Sequence, residues 1–314
     1  MSLLQMPDIV LSLILLKSDF RSILVLRKVC RDLRNFIDDQ KPESNLDDVS
    51  ISINSETLEM DIPFKVIGVK YQKSDYGTLI SGKSGYDEQE NFVEGICFFD
   101  LFLKDFKVIL MNQKKPINFL SLYFNIDNPN MLKKLREFWD HPIPIKRLSI
   151  RTKSQEEVMS FLPNVDLKSF ESMQMFSSKS MDMEIDEIVR TPHWRILKNV
   201  EIKKLITSAG FSHFSHLERV MIDREYVMGP DVAEVKKIFL TSPNMKWFMI
   251  CTKYVNKPQY DAILGESIRE QDRLGRTMTK WTCKVPNCDQ EIQFALYGGY
   301  EEWIVDVKRV AVGN

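Results

Sequence analysis

Three hexapeptides decide how the chain folds: LKNVEI (Leu197–Ile202), LERVMI (Leu217–Ile222) and MKWFMI (Met245–Ile250). Each reads apolar, two variable residues, apolar, one variable, apolar. In an extended strand successive side chains alternate between faces. The first, fourth and sixth positions are therefore assigned to the core, and the third, fifth and seventh to the opposite face. The same pattern stands at Ile117-x-x-Leu120-x-Leu122 and Ile145-x-x-Leu148-x-Ile150, with a degenerate copy from Leu167 whose third apolar position is Ser172. The copies start 28, 22, 30, 20 and 28 residues apart, close to the length of a leucine-rich-type strand–helix unit.

The segments between the copies predict helices at 131–139, 156–162, 183–189 and 232–240. Several end in a Pro-containing turn, as at Leu162-Pro163, Thr191-Pro192 and Ser242-Pro243. A strand, a crossing helix and a second strand of one sheet join right-handedly, which makes the strands parallel. The expectation is a leucine-rich-repeat-like β/α stack, with an ordinary α/β sheet as the other reading of the same spacing. Beyond Lys253 the pattern stops. Residues 291–296 and 303–312 alternate around Gly298-Gly299, which predicts a terminal β-hairpin that caps the last unit.

N-terminal to the stack, residues 49–110 read as strands: Val49, Ile51 and Ile53 alternate with polar residues, and 64–71 and 96–102 are β-branched and aromatic. Between them Gly77–Ser84 spells a phosphate-binding loop, GTLISGKS. That loop works only where a strand runs straight into its first Gly and a helix starts at Lys-Ser. Here five residues, 72–76, separate strand from glycine, and Gly85 follows Ser84. Gly in a first helical turn is unfavourable, so the favoured reading is strand–turn–strand with the turn at 82–85. A P-loop nucleotide-binding protein is the alternative.

Residues 6–38, MPDIVLSLILLKSDFRSILVLRKVCRDLRNFID, predict three short helices. Pro7 and Asp8 suit a first turn, Ile9, Leu13 and Leu16 recur at helical spacing, and Ser18-Asp19 can cap a second helix carrying Phe20, Ile23, Leu24 and Leu26. A third runs from near Val29 through Leu33, Phe36 and Ile37 to Lys41-Pro42. A module below ~40 residues buries too little surface to stand alone. The string resembles an F-box: Pro7, Ile14-Leu15, Asp19-Phe20 and Leu26-Arg27-Lys28-Val29-Cys30-Arg31 occupy the positions of that family's pattern. Ser18 stands where the family usually has Leu, and Leu33 where many members have Trp. The likeness is greatest to nematode F-box proteins of the F-box A type, which carry a C-terminal FTH (F-box-associated) domain.

The resemblance implies an α+β and α/β chain organised as an F-box (1–45), a β-rich connecting segment (46–110), an FTH-like β/α region (111–260) and a hairpin cap (261–314). It implies a substrate-recruiting adaptor of an SCF-type ubiquitin ligase, partnered by a Skp-type adaptor, a cullin–RING core and a target protein. Pro7, Ile9, Ile14, Leu15, Phe20, Ile23, Leu26 and Val29 would carry the docking to the Skp-type adaptor. The strand face opposite the core offers Phe119, Tyr123, Arg147, Arg151, Lys203, Arg219, Met221, Trp247 and Met249 to the target, a mixture rich in interface-anchor types. For Trp247 the competing reading is burial beneath the hairpin. A stand-alone repeat scaffold is a further alternative.

Composition narrows the classes further. With 43 basic and 44 acidic residues and a net charge of −1, there is no basic excess to hold nucleic acid or an anionic membrane. The five cysteines are odd in number and scattered, which fits reduced thiols in cytoplasm or nucleus. Cys283, Cys288, His213 and His216 have only loose zinc-ligand spacing, and the four His supply no recognisable catalytic arrangement. No catalytic residue, metal or cofactor is expected.

Overall fold

The computed structural model describes residues 6–18, 20–42, 46–62, 67–84, 87–111, 113, 115–126, 128–271, 277–286, 289–298 and 302–311. The chain forms two compact units, residues 1–148 with 160–170, and residues 149–159 with 171–314.

The first unit begins with α1 (Asp8–Lys17), α2 (Phe20–Val29) and α3 (Arg31–Gln40). Ser18 Oγ donates to the Ile14 carbonyl at 2.9 Å and satisfies one of the open acceptors at the end of α1. Cys30 Sγ accepts the Leu33 N–H and caps α3. Lys41 takes a left-handed φ of 45° and donates its N–H to Ile37 O, so the helix stops where Lys41-Pro42 predicts. Leu15, Ile23 and Ile37 form the small core, with Leu26 and Phe36 packed against it. Arg27 ties α2 to α3 through a two-pronged bond to Asp38, 2.7 and 3.0 Å.

Ile9, Leu13 and Leu16, which share the spacing of one helix face, point outward, while Leu11 and Leu15 point in. α1 is apolar nearly all round, so periodicity alone could not select its buried side.

An antiparallel meander follows: β1 (Asp48–Asn54), β2 (Thr57–Ile62), β3 (Ile67–Ser74), β4 (Gly77–Ser84) and β5 (Asp87–Glu94). Then come α4 (Phe98–Met111), β6 (Ile117–Asn125), α5 (Pro129–Glu137) and β7 (Ile145–Arg151), whose last residues enter the second unit. β6 lies parallel to β1, setting Leu120, Leu122 and Phe124 beside Val49, Ile51 and Ile53, all buried.

The phosphate-loop match is thereby overturned. Gly77–Ser84 is the strand β4, paired along its length with β3 and β5, and no helix starts at Lys83. The strand part of the favoured reading holds, but the turn is displaced: Gly82, Lys83 and Ser84 still pair with Gln89, Glu88 and Asp87. Gly85 lies outside the described residues. The strand expected at 96–102 is instead the start of α4. Its aromatics Phe98, Phe99, Phe102 and Phe106 fall on one helical face and are buried, a period that a seven-residue window hides.

In the second unit β8 (Ser172–Asp182), β9 (Asn199–Ile206), β10 (Arg219–Val227) and β11 (Trp247–Val255) run parallel in that order. α6 (Gln155–Phe161) precedes β8, and the chain returns between the four strands through α7 (Asp186–Arg190), α8 (Pro192–Ile196), a 3-10 turn at Phe211–Phe214 and α9 (Gly229–Thr241). After α10 (Lys257–Leu264) come β12 (Ile268–Gln271), β13 (Thr277–Lys284), β14 (Gln290–Gly298) and β15 (Trp303–Ala311). β14 and β15 form the expected antiparallel hairpin, and β15 pairs with β11, covering that strand's free edge.

All the apolar positions of the five full hexapeptides are buried. The degenerate copy needs a shift of register. β8 sets Met173 and Met175 beside Val200 and Ile202, so the pattern there is Phe170-x-x-Met173-x-Met175, and Leu167 is exposed. The starts then lie 28, 25, 27, 20 and 28 residues apart. Methionines standing in for branched aliphatics hid this copy.

Candidate functional site

Two surfaces stand out, one in each unit. On α1 the side chains of Ile9, Leu13 and Leu16 are 72%, 56% and 58% exposed. They recur at i, i+4 and i+7, the spacing of one helix face. The end of α3 and Pro42 lie beside Leu13, Leu15 and Leu16, leaving a shallow apolar recess there. Such an array on a small module is an unmet burial demand, each side chain representing ~1.5–3 kcal/mol if covered.

The residues expected to dock on α1–α3 divide by position. Pro7, Ile9 and Val29 are exposed, Ile14 and Leu26 are half-buried, and Leu15 and Ile23 sit inside the module's own core. Nothing is described for the Phe20 side chain. Leu13 and Leu16, absent from that set, face outward as well. A consensus pattern mixes residues that build the module with residues that face away from it, and only burial separates the two.

The second surface is the open face of the parallel sheet in the second unit. Strand register aligns its side chains in rows. Ser172, Asn199, Arg219, Trp247 and Lys308 make one row; Gln174, Glu201, Met221, Met249 and Asp306 make the next. The hairpin continues these rows through Gln293 and Ala295 instead of covering them. Trp247 is accordingly half-buried beside β15, with its indole N–H donating to Asp306 Oδ1 at 2.7 Å. The alternative of burial beneath the hairpin is set aside.

Of the nine candidates for target contact, Arg151, Lys203, Arg219, Met221, Trp247 and Met249 belong to the second unit, and Phe119, Tyr123 and Arg147 to the first. Within the first unit Arg147 lies over the Phe119 ring at 5.4 Å. Arg147, Arg151, Lys203 and Arg219 are exposed; the other five are half-buried. Lys203 forms an ion pair with Glu201.

The face of the second unit is partly dry, and its acids register this. Burial raises the pKa of Asp306 against the pull of Trp247, and burial raises that of Asp223. The Cys251 thiol is pushed up to about 11, by burial first and then by the carboxylates of Asp223 and Glu302. A face with half-desolvated polar groups and aromatic, Met and Arg side chains has the composition of an interface core more than of an ordinary solvated sheet.

Of the four residues with zinc-like spacing, Cys283, His213 and His216 are described. His216 contacts the Trp194 carbonyl, the Cys283 thiol is directed at the Leu264 carbonyl, and Cys288 lies outside the described residues. Among the described residues no group of three or more His, Cys, Asp or Glu is placed to hold a metal ion. No helix among them is long and apolar enough to cross a membrane.

Comparison with known proteins bears on both surfaces. The F-box domain family model matches residues 3–45, which include α1–α3. The FTH domain family model matches residues 127–266, which include β8–β11. The F-box A protein 224 of Caenorhabditis elegans is 26% identical over 265 residues, spanning 81% of this chain and 67% of the relative. No solved structure matches the chain.

Proposed function

We propose that the chain is an F-box protein, given the F-box domain match at residues 3–45 and the FTH domain match at 127–266, and that it recruits a target protein to an SCF-type ubiquitin ligase without catalysing a reaction itself. The observation that carries this reading is the outward apolar face of α1. Ile9, Leu13 and Leu16 stand in water on a module whose own core is already closed by Leu15, Ile23 and Ile37. A helix face of this kind is covered by docking into a groove on a partner, and the Skp-type adaptor, which links to the cullin–RING core, is the partner that an F-box engages. The target is held by the open sheet face around Arg219, Met221, Trp247 and Met249, with Arg151 and Lys203 at its charged margin. The repeat character of the β/α region belongs to the same proposal, because stacked strands present such a face as one surface. A cytoplasmic or nuclear setting follows from the proposed partners.

The test uses the full chain. Leu13→Asp with Leu16→Asp places charge on the docking face without touching the module's core, and capture of the adaptor should be abolished at unchanged thermal stability. Undiminished capture by a folded double variant would refute the docking assignment. Arg219→Glu reverses a charge on the sheet face. It should weaken capture of the target while leaving adaptor capture intact.

A further inference from the structure

The first unit contains an open cavity of about 390 Å³, separate from the α1 face. Its apolar walls are Val25 and Val29 from α2 and Val69, Ile80 and Val93 from β3, β4 and β5, and the rim of β5 adds Gln89 and Asn91. Ligand sites are open clefts of roughly 300 to 1,000 Å³, mostly apolar with a few convergent polar groups. Val25 and Val29, 52% and 63% exposed, lie on this side of the helical module, whereas Leu13 and Leu16 line the separate recess beside Pro42.

The polar groups converge on Asp105 of α4, which lines the cavity and is 7% exposed. Its Oδ2 accepts from Lys28 Nζ at 3.1 Å and from the Tyr71 hydroxyl at 3.0 Å. Among the described residues nothing donates to its Oδ1. Burial and the Asp105 charge hold the Tyr71 phenol well above its ordinary pKa, so it stays a donor already committed to Oδ2. Lys28 balances the charge of Asp105. The polar corner is therefore neutral overall, and Asp105 Oδ1 is an acceptor to which no described residue donates.

We infer that this cavity is a binding site for a neutral small molecule with an aliphatic or aromatic body and a single O–H or N–H donor, seated against the valine walls and donating to Asp105 Oδ1. A cationic ligand would compete with Lys28 for the same carboxylate, and an anionic one would meet Asp105 itself.

The probe is N-phenyl-1-naphthylamine, a neutral fluorophore with one N–H, titrated into the full chain. Saturable one-site enhancement is expected. Val29→Trp, which fills the cavity from an exposed position, should weaken it at least tenfold, whereas Leu13→Trp on α1 should not change it. The N-methyl analogue lacks the donor and should bind about tenfold more weakly, equivalent to ~1.4 kcal/mol. No saturable binding, or binding indifferent to Val29→Trp, overturns the site; equal affinity of the two probes overturns the assigned ligand chemistry. If Val29→Trp does not fold, methyl NMR of the native chain decides instead. The probe should shift Val93 and Ile80, and unshifted signals at saturating probe overturn the site.

Discussion

Helix α1 and strands β8–β11 solve opposite problems with the same kinds of residue. On α1 leucine and isoleucine lie on both sides: Leu11 and Leu15 close the core while Ile9, Leu13 and Leu16 remain in water. On the strands the apolar pattern positions are all buried, and the outward positions carry Arg, Glu, Met and Trp. The difference separates two kinds of recognition. A hydrophobic face on a small module suits one constant partner, since burial is strong but indifferent to detail. A mixed face on a closed, well-packed sheet suits a specific partner, because unmatched charges penalise wrong ones.

The comparison breaks first if the sheet is not closed. Phe248 is fully buried and meets Phe211 and Phe214 with ring centroids 5.7 and 6.1 Å away. Phe248→Ala should cost ~3–5 kcal/mol, measured by urea denaturation. A loss under 1 kcal/mol would mean that the strand core tolerates voids and that its outer face is not rigidly presented.

A matched pair on α1 sharpens the other half. Leu15→Ala removes a core side chain and should cost ~2–5 kcal/mol. Leu13→Ala, two residues earlier but outward, should stay within about 0.5 kcal/mol. Equal losses would erase the distinction between building and docking residues on which the proposed role rests.

The sequence made much of this legible, and its failures have physical causes. The hexapeptides placed the strands because alternation is strict where one face is buried and the other is not. The phosphate-loop match failed because its physical requirements, a strand directly before and a helix directly after, were absent from the surrounding residues. The copy at Phe170 was displaced because Met173 and Met175 do the work of branched aliphatics. The docking face was half-legible: resemblance located the helices, but an all-apolar α1 carries no period to say which side faces water. The cavity beside Asp105 was not legible at all. It depends on Lys28, Tyr71 and Asp105, distant in sequence, meeting at one carboxylate.

Trp247 tests the margin between core and face. Its N–H is the hydrogen bond that Asp306 receives from a side chain across the strand pair. Trp247→Ala should cost ~1–3 kcal/mol at pH 7, chiefly by leaving a half-buried carboxylate without that donor. The pH dependence carries the sign. Burial already raises the folded-state pKa of Asp306, and Trp247 pulls it down, so the variant's pKa should rise further. A carboxyl whose folded pKa exceeds its unfolded value destabilises the fold when ionised, and the penalty is relieved as pH falls through the folded pKa. The cost of the variant should therefore shrink between pH 7 and pH 4. A constant or growing cost would assign the loss to packing alone.

The smallest effect concerns reactivity, and it reads how dry the sheet face is before any partner arrives. Cys251 sits half-buried on that face, opposite Asp223 of β10. Thiolate is the reactive form, and desolvation together with nearby carboxylates disfavours it, placing the thiol near 11. Cys97 is exposed. At pH 8 iodoacetamide should modify Cys97 well before Cys251, followed by peptide mass spectrometry. The Cys251 rate should climb about tenfold per pH unit, the slope expected of a thiol titrating well above the working pH, and level off only near 11. Comparable rates at pH 8 would mean that water reaches Cys251 freely. The sheet face would then be an ordinary solvated surface, and the contrast with α1 would lie in charge alone rather than in desolvation.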